Sequence, residues 1–213
     1  VLLCAEDEKE YLCSIEAYDE ECQQVLLHIV DIFGNNRELP SKMVLFQGLP
    51  KGDKMELVIQ KAVELGVSEI VPVAMKRCVV KLDEKKAAKK IERYQNVALS
   101  AAKQSKRGKI PDVTPVMSFH EACEYCKSLE TVLIPYELAN GMEQSKRCVR
   151  DAAKTSSIGI FIGPEGGFAL EEIEQLKELG GQIITLGHRI LRTETAGMVV
   201  LSLLMFEMES DKE

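Results

Sequence analysis

The chain has 213 residues, 46% hydrophobic and 29% charged, with a formal net charge of −7. That composition suits one large globular domain, or one domain plus a small one, and excludes a low-complexity chain. No apolar run approaches the roughly 20 residues of a membrane-spanning helix.

The opening VLLCAEDEKEY is acidic rather than basic and then apolar, so no signal peptide is expected. A start on Val1 instead of Met reads as a fragment. Residues 9–33 alternate, with Tyr11, Cys13 and Ile15 on one face and Val25, Leu27 and Ile29 on another. This predicts a small antiparallel sheet or part of a barrel. The stretch GNNRELPSK breaks the pattern and puts a domain boundary near residue 40, dividing the chain into 1–40 and 41–213. Residues 43–47 read as a buried strand. Asp53 reads as a helix cap with Glu56 as its capping-box partner. Leu57, Val58, Lys61, Ala62 and Leu65 form that helix's apolar stripe, and Gly66 ends it. A strand at 69–73 completes a strand–helix–strand unit, the building block of a parallel α/β sheet.

A long helix follows over 84–105, with Ile91, Tyr94, Val97, Ala98 and Ala101 as its apolar stripe. Helices are predicted at 118–129, 141–154, 170–179 and 194–208, and strands at 131–136, 158–162 and 182–186. Seven cysteines are scattered with only Cys123-x-x-Cys126 closely spaced, and the three histidines stand singly. A reducing cytoplasmic setting is therefore expected, with the cysteine pair in the core and no metal.

Charge is distributed unevenly. From Lys76 to Lys109 there are twelve Lys or Arg against Asp83, Glu84 and Glu92, whereas residues 1–40 hold two basic and ten acidic residues. A basic run of this kind is either a solvated helix face or a phosphate footprint. Two glycine-bearing loops follow predicted strands near the C-terminus. IGPEGGF (162–168) lies between a buried strand and a helix, and LGHRILRTETAG (186–197) repeats the arrangement. In a parallel sheet such loops lie at the strand ends where ligands bind. The spacing fits neither a dinucleotide fingerprint nor a phosphate loop. Thr193 as N-cap and Glu194 in the first turn are explained by helix initiation. Arg189, Arg192 and Thr195 are not, and two glycine loops at neighbouring strand ends with an Arg pair suggest a small-molecule pocket beside an anionic partner.

GPEGGF followed by LGxRILRTETA resembles the RsmE family of ribosomal RNA methyltransferases. GLPKGDKMELVIQKAVELGVSEIVPV is similar to that family's QxxxKGDKME block, and Gln104–Val113 and Leu133–Glu137 match two further motifs. The resemblance runs from about residue 43 to 206. Lys103 stands where the family usually has an acid, and Gly197 where it usually has Ala.

The resemblance implies an α/β SPOUT fold with a parallel sheet, a C-terminal trefoil knot and a preceding PUA-like β-barrel, of which residues 1–40 match only the later part. It also implies a homodimer that binds S-adenosyl-L-methionine and methylates N3 of a uridine in 16S ribosomal RNA of the small subunit. Arg192 is then the group expected to stabilise the uridine anion, with Glu165 and Glu194 as candidate bases; His188 is a further candidate by its titration range. Gly163, Gly166, Gly167, Leu186, Gly187, Ile190, Leu191, Thr195 and Ala196 are expected to hold the methyl donor. Lys85, Lys89, Arg93, Lys106, Arg107 and Lys109 are the candidate RNA backbone contacts. Two other readings stay open: a knotted methyltransferase for another RNA nucleotide, and an RNA-binding relative without turnover.

Overall fold

A computed structural model describes residues 1–4, 9–34, 37–80 and 84–209, the side chains of 84–86 excepted. The alternating N-terminal residues form three antiparallel strands, β1 (Leu2–Cys4), β2 (Lys9–Asp19) and β3 (Gln24–Gly34), in the order β1-β2-β3. The β2–β3 register slips between Leu12 and Cys13 and again between Ile15 and Ala17. Each slip moves later side chains to the other face. Neither slip falls between Cys13 and Ile15, yet Cys13 is buried whereas Ile15, Val25 and Ile29 are exposed, so the predicted faces are not buried as a whole.

The rest of the described chain builds a parallel sheet in the order β10-β8-β9-β4-β5-β6, with β7 also pairing to β5. Its strands are β4 (Lys42–Gly48), β5 (Glu69–Ala74), β6 (Asp112–Val113), β7 (Met117–Ser118), β8 (Thr131–Pro135), β9 (Ser157–Ile162) and β10 (Gln182–Ile184). The crossover helices are α1 (Lys54–Glu64), α2 (Glu84–Gln104), α3 (Phe119–Cys126), α4 (Met142–Ala152) and α5 (Leu170–Glu178), and α6 (Thr193–Met208) ends the fold.

Strand alternation sorts the side chains into two cores. Met43, Leu45, Ile158, Ile160 and Ile162 pack under α1, α2, α4 and α6. Val44, Phe46, Val71, Val73 and Phe161 face α3 and α5. Phe46 and Phe161 stack at 4.3 Å on neighbouring central strands. Fully burying an aromatic or large aliphatic side chain contributes about 1.5–3 kcal/mol, so the continuous apolar runs at 43–46 and 158–162 place β4 and β9 at the centre. Cys123 and Cys126 are buried in the second core, and burial pushes the Cys123 thiol up to about 12. These are packing cysteines rather than reactive ones.

Helix ends depart from expectation at two places. Asp53 is the N-cap of α1 but its side chain accepts no cap hydrogen bond; the Glu56 amide donates to the Asp53 backbone carbonyl at 3.1 Å, and the Glu56 carboxylate turns to Arg93 on α2 at 2.8 Å. The buried stripe of α1 is Met55, Val58, Ile59, Ala62 and Val63, leaving Leu57 43% exposed. The N-cap of α6 is Arg192 rather than Thr193, which is the first helical residue and is buried.

Candidate functional site

The C-terminal ends of β8, β9 and β10 open onto one cavity of about 370 Å³, within the size range of small-molecule sites. Three loops form it: 135–137 after β8, 162–168 after β9 and 185–192 after β10. Lys54 from α1 and Thr193 and Ala196 from α6 complete the wall. Ile162, Phe168, Leu186 and Leu191 supply an apolar side. Glu137, Glu165, Thr185, His188, Arg189 and Arg192 supply a polar one.

Two glycines are required by backbone geometry. Gly167 has φ +67° and Gly187 has φ +113°, values that side-chain-bearing residues rarely adopt. The first closes a turn in which the Gly167 amide donates to the Pro164 carbonyl at 2.9 Å. Both leave backbone facing the cavity without a Cβ in the way.

Behind the wall runs a buried hydrogen-bond relay. Gln47 at the end of β4 is fully buried, and its amide donates to the Gly48 carbonyl at 3.0 Å and to Thr193 Oγ1 at 2.8 Å. Thr193 Oγ1 in turn donates to the Gly163 carbonyl at 2.6 Å. The loop after β9 and the start of α6 are thereby pinned to the same strand. A threonine was expected at this helix start for capping, but its hydroxyl bonds the neighbouring loop instead.

Of the residues expected to hold the donor, Gly163, Gly167, Leu186, Gly187, Ile190, Leu191 and Ala196 line the cavity. Gly166 and Thr195 do not. Gly166 backs onto Arg77, whose Nη1 donates to its carbonyl at 3.1 Å, and an added Cβ there would lie 3.0 Å from Arg77 Cβ. Its missing side chain serves packing of the loop on the β5–α2 connection.

The three charged residues separate by environment. Arg192 is exposed on the rim. Glu165 lines the cavity but is engaged: it accepts from the Lys51 amide at 3.1 Å and from Lys54 Nζ at 2.9 Å. Burial acts to raise its pKa, but those hydrogen bonds outweigh it and hold the carboxyl below the usual range. A carboxylate so stabilised is a poor proton acceptor. Glu194 lies in the first turn of α6 but not on the cavity wall. Lys54 Nζ lies 3.5 Å from it, and its Oε2 is buried with no hydrogen-bond partner among the described residues.

The candidate RNA contacts divide as well. Lys89, Arg93, Lys106 and Lys109 are exposed, and Arg93 is ion-paired with Glu56. The side chain of Lys85 lies outside the described residues. Arg107 is turned inward instead. It is 9% exposed, its guanidinium grips the Glu38 carboxylate with Nε and Nη2, and its Nη1 donates to the Val63 and Val67 carbonyls at 3.1 and 2.6 Å. It ties the turn after α2 to the segment entering β4, with four of its five N–H donors engaged and its side chain 5% exposed.

Lys54, Tyr136, Glu137 and Phe168 belong to the site although the motif reading did not single them out. Each lies inside a matched motif, so a signal existed, but their inward direction follows only from the strand ends converging.

A family model described as RNA methyltransferase domain matches residues 37–205. The Bacillus subtilis (strain 168) protein Ribosomal RNA small subunit methyltransferase E is 38% identical over 212 residues, 98% of this chain and 82% of that protein. The protein of the same name from Mesomycoplasma hyopneumoniae is 37% identical over 174 residues, 82% of this chain and 74% of that protein. Among solved structures, a Ribosomal RNA small subunit methyltransferase E from Neisseria gonorrhoeae bound to S-adenosyl methionine matches with TM-score 0.83 at 32% identity, covering 97% of this chain and 82% of that one.

Proposed function

The chain belongs to the RNA methyltransferase family of the ribosomal RNA small subunit methyltransferase E type, and on that premise we propose that it transfers a methyl group from S-adenosyl-L-methionine to N3 of a uridine in 16S ribosomal RNA. The observation that carries this reading is the cavity formed where the 162–168 and 185–192 loops meet the start of α6. Its chemistry suits the donor. The apolar side formed by Phe168, Leu186 and Leu191 fits a purine, and the Cβ-free backbone at Gly167 and Gly187 allows close hydrogen bonding. Glu137, which makes no hydrogen bond or ion pair within the described residues, offers an acceptor for hydroxyl or ammonium groups.

Bound there, S-adenosylmethionine supplies an electrophilic methyl on a sulfonium. The protein's part is placement and proton management. Uridine N3 must lose its proton, and the guanidinium of Arg192 on the rim is suited to stabilise the negative charge that develops on the base oxygens. Glu165 stays ionised against Lys54 and orients its loop, and the N3 proton leaves by another acceptor.

The knot is supported by the strand order β10-β8-β9, with α6 returning across β8 to pack on α1, α4 and β9. The three antiparallel strands support a PUA-like barrel in residues 1–40 that holds RNA, with 41–213 as the catalytic domain. A homodimer is supported by the mainly apolar α6, which leaves Leu203 and Phe206 exposed, and by Ile190 at 83% exposure. The setting is cytoplasmic, where small subunits assemble.

The test is methyl transfer from labelled donor to small subunits taken from cells lacking this modification, followed by nucleoside analysis. Label in 3-methyluridine at one 16S position is the expected result. Label in another nucleoside, or none with the donor bound, refutes it.

A further inference from the structure

The two loops that define the cavity are joined by one ammonium. Lys54, the first residue of α1, sends Nζ to Glu165 Oε1 at 2.9 Å on the loop after β9, and to Glu194 Oε2 at 3.5 Å in the first turn of α6. We propose that Lys54 is a positioning residue of the methyl-donor site, a latch that sets the gap between these two loops. The proposal rests on the reading of the cavity as that site.

The two carboxylates are held unequally. Glu165 also accepts from the Lys51 amide. Glu194 has Lys54 as its counter-ion, and its buried Oε2 has no hydrogen-bond partner among the described residues. Two negative charges thus share one positive charge; the Glu194 side chain is 14% exposed and that of Glu165 26%, so solvent screens their repulsion only in part. Removing the ammonium leaves two like charges facing each other, one on the loop after β9 and one in the first turn of α6. Their repulsion, together with the need of each to recover hydration, drives the loops apart. The hydrogen bond that Lys54 donates to Glu165 also keeps the ammonium protonated, raising its pKa above the ordinary lysine value, so the latch stays charged through the neutral range. The relay through Gln47 and Thr193 pins the same two loops from below by neutral hydrogen bonds, and Lys54 closes them at the cavity itself.

The experiment is calorimetric titration of S-adenosylmethionine into the wild type and the K54M, K54R and K54M/E194Q variants, with steady-state methylation and thermal melts alongside. K54M is expected to weaken donor binding about tenfold, the effect falling on KM for the donor more than on kcat. K54R keeps the charge and restores most of the affinity. Adding E194Q to K54M removes one of the opposed charges, so the double variant binds more tightly than K54M. K54Q repeats the test should K54M fail to fold. Wild-type affinity in K54M overturns the proposal, as does a double variant weaker than K54M. A wild-type chain that takes up no S-adenosylmethionine overturns the reading of the cavity itself, so the two failures are distinguishable.

Discussion

Arg107→Met tests whether the basic stretch after α2 is a phosphate footprint or a structural brace. In the native chain the guanidinium contacts Glu38 with two nitrogens, at 3.2 and 2.5 Å, and donates to the Val63 and Val67 carbonyls. Methionine fills most of the volume and makes none of these bonds. The Val63 carbonyl retains the Gly66 amide, and Glu38 retains the amides of Gly108 and Lys109. The main loss is therefore a largely buried carboxylate left without its counter-ion, plus one bond at Val67. Breaking such a pair costs about 3–5 kcal/mol, and the surviving amides place this case near about 3. For a chain of this size that lowers the melting midpoint by roughly 6–12 °C.

The pair also has a pH signature. Burial raises the Glu38 pKa, but Arg107 and the two amides outweigh it, leaving the native value below the ordinary 4.5. The stability from this shift is fully present above about pH 4.5 and is lost as pH falls through the native value. The gap between wild type and R107M therefore narrows in acid. Thermal melts across pH check this, and binding of a small-subunit RNA fragment across salt concentrations checks the alternative. An R107M chain that melts like the wild type, but whose log K against log salt slope falls by about one, would refute the brace.

Arg192→Ala should cut turnover about 100-fold or more while leaving donor affinity nearly intact, since the Arg192 side chain makes no cap hydrogen bond to α6; equal losses in calorimetry and in turnover would end the proposed role. Thr193→Val breaks the link between Gln47 and the Gly163 carbonyl and should cost about 2 kcal/mol by denaturant melts, with Thr193→Ser recovering most of it; an unchanged T193V midpoint would show the relay to be idle. Gly197→Ala should stabilise by roughly 0.5–1 kcal/mol, because the nearest atoms to an added Cβ are ordinary contacts at 3.7 Å or more; a lowered midpoint would mean that Ile162 and Gln47 cannot accept the methyl.

The parallel sheet was legible in the chain because its signals are local. Apolar runs at 43–46 and 158–162, helical stripes such as Tyr94, Ala98 and Ala101, and the glycine stops at 66 and 180 each declare an element within a dozen residues. The cavity was legible for a related reason: both glycine loops follow strands, and strand ends on one edge of a parallel sheet converge. What the chain could not disclose is direction. Arg107 and Lys106 are adjacent basic residues in one loop, yet one is buried on Glu38 and the other is exposed. Gly166 and Gly167 are neighbours, yet one packs on Arg77 and the other faces the cavity. Thr193 looked like a cap until Gly163, thirty residues away, was found to accept its hydroxyl proton. Local pattern thus determined which segments are strand, helix or loop, because backbone preference and hydrophobic period act over a few residues. Which polar side chain turns inward was decided by partners distant in sequence, because a buried charge or hydroxyl takes its direction from the group that compensates it.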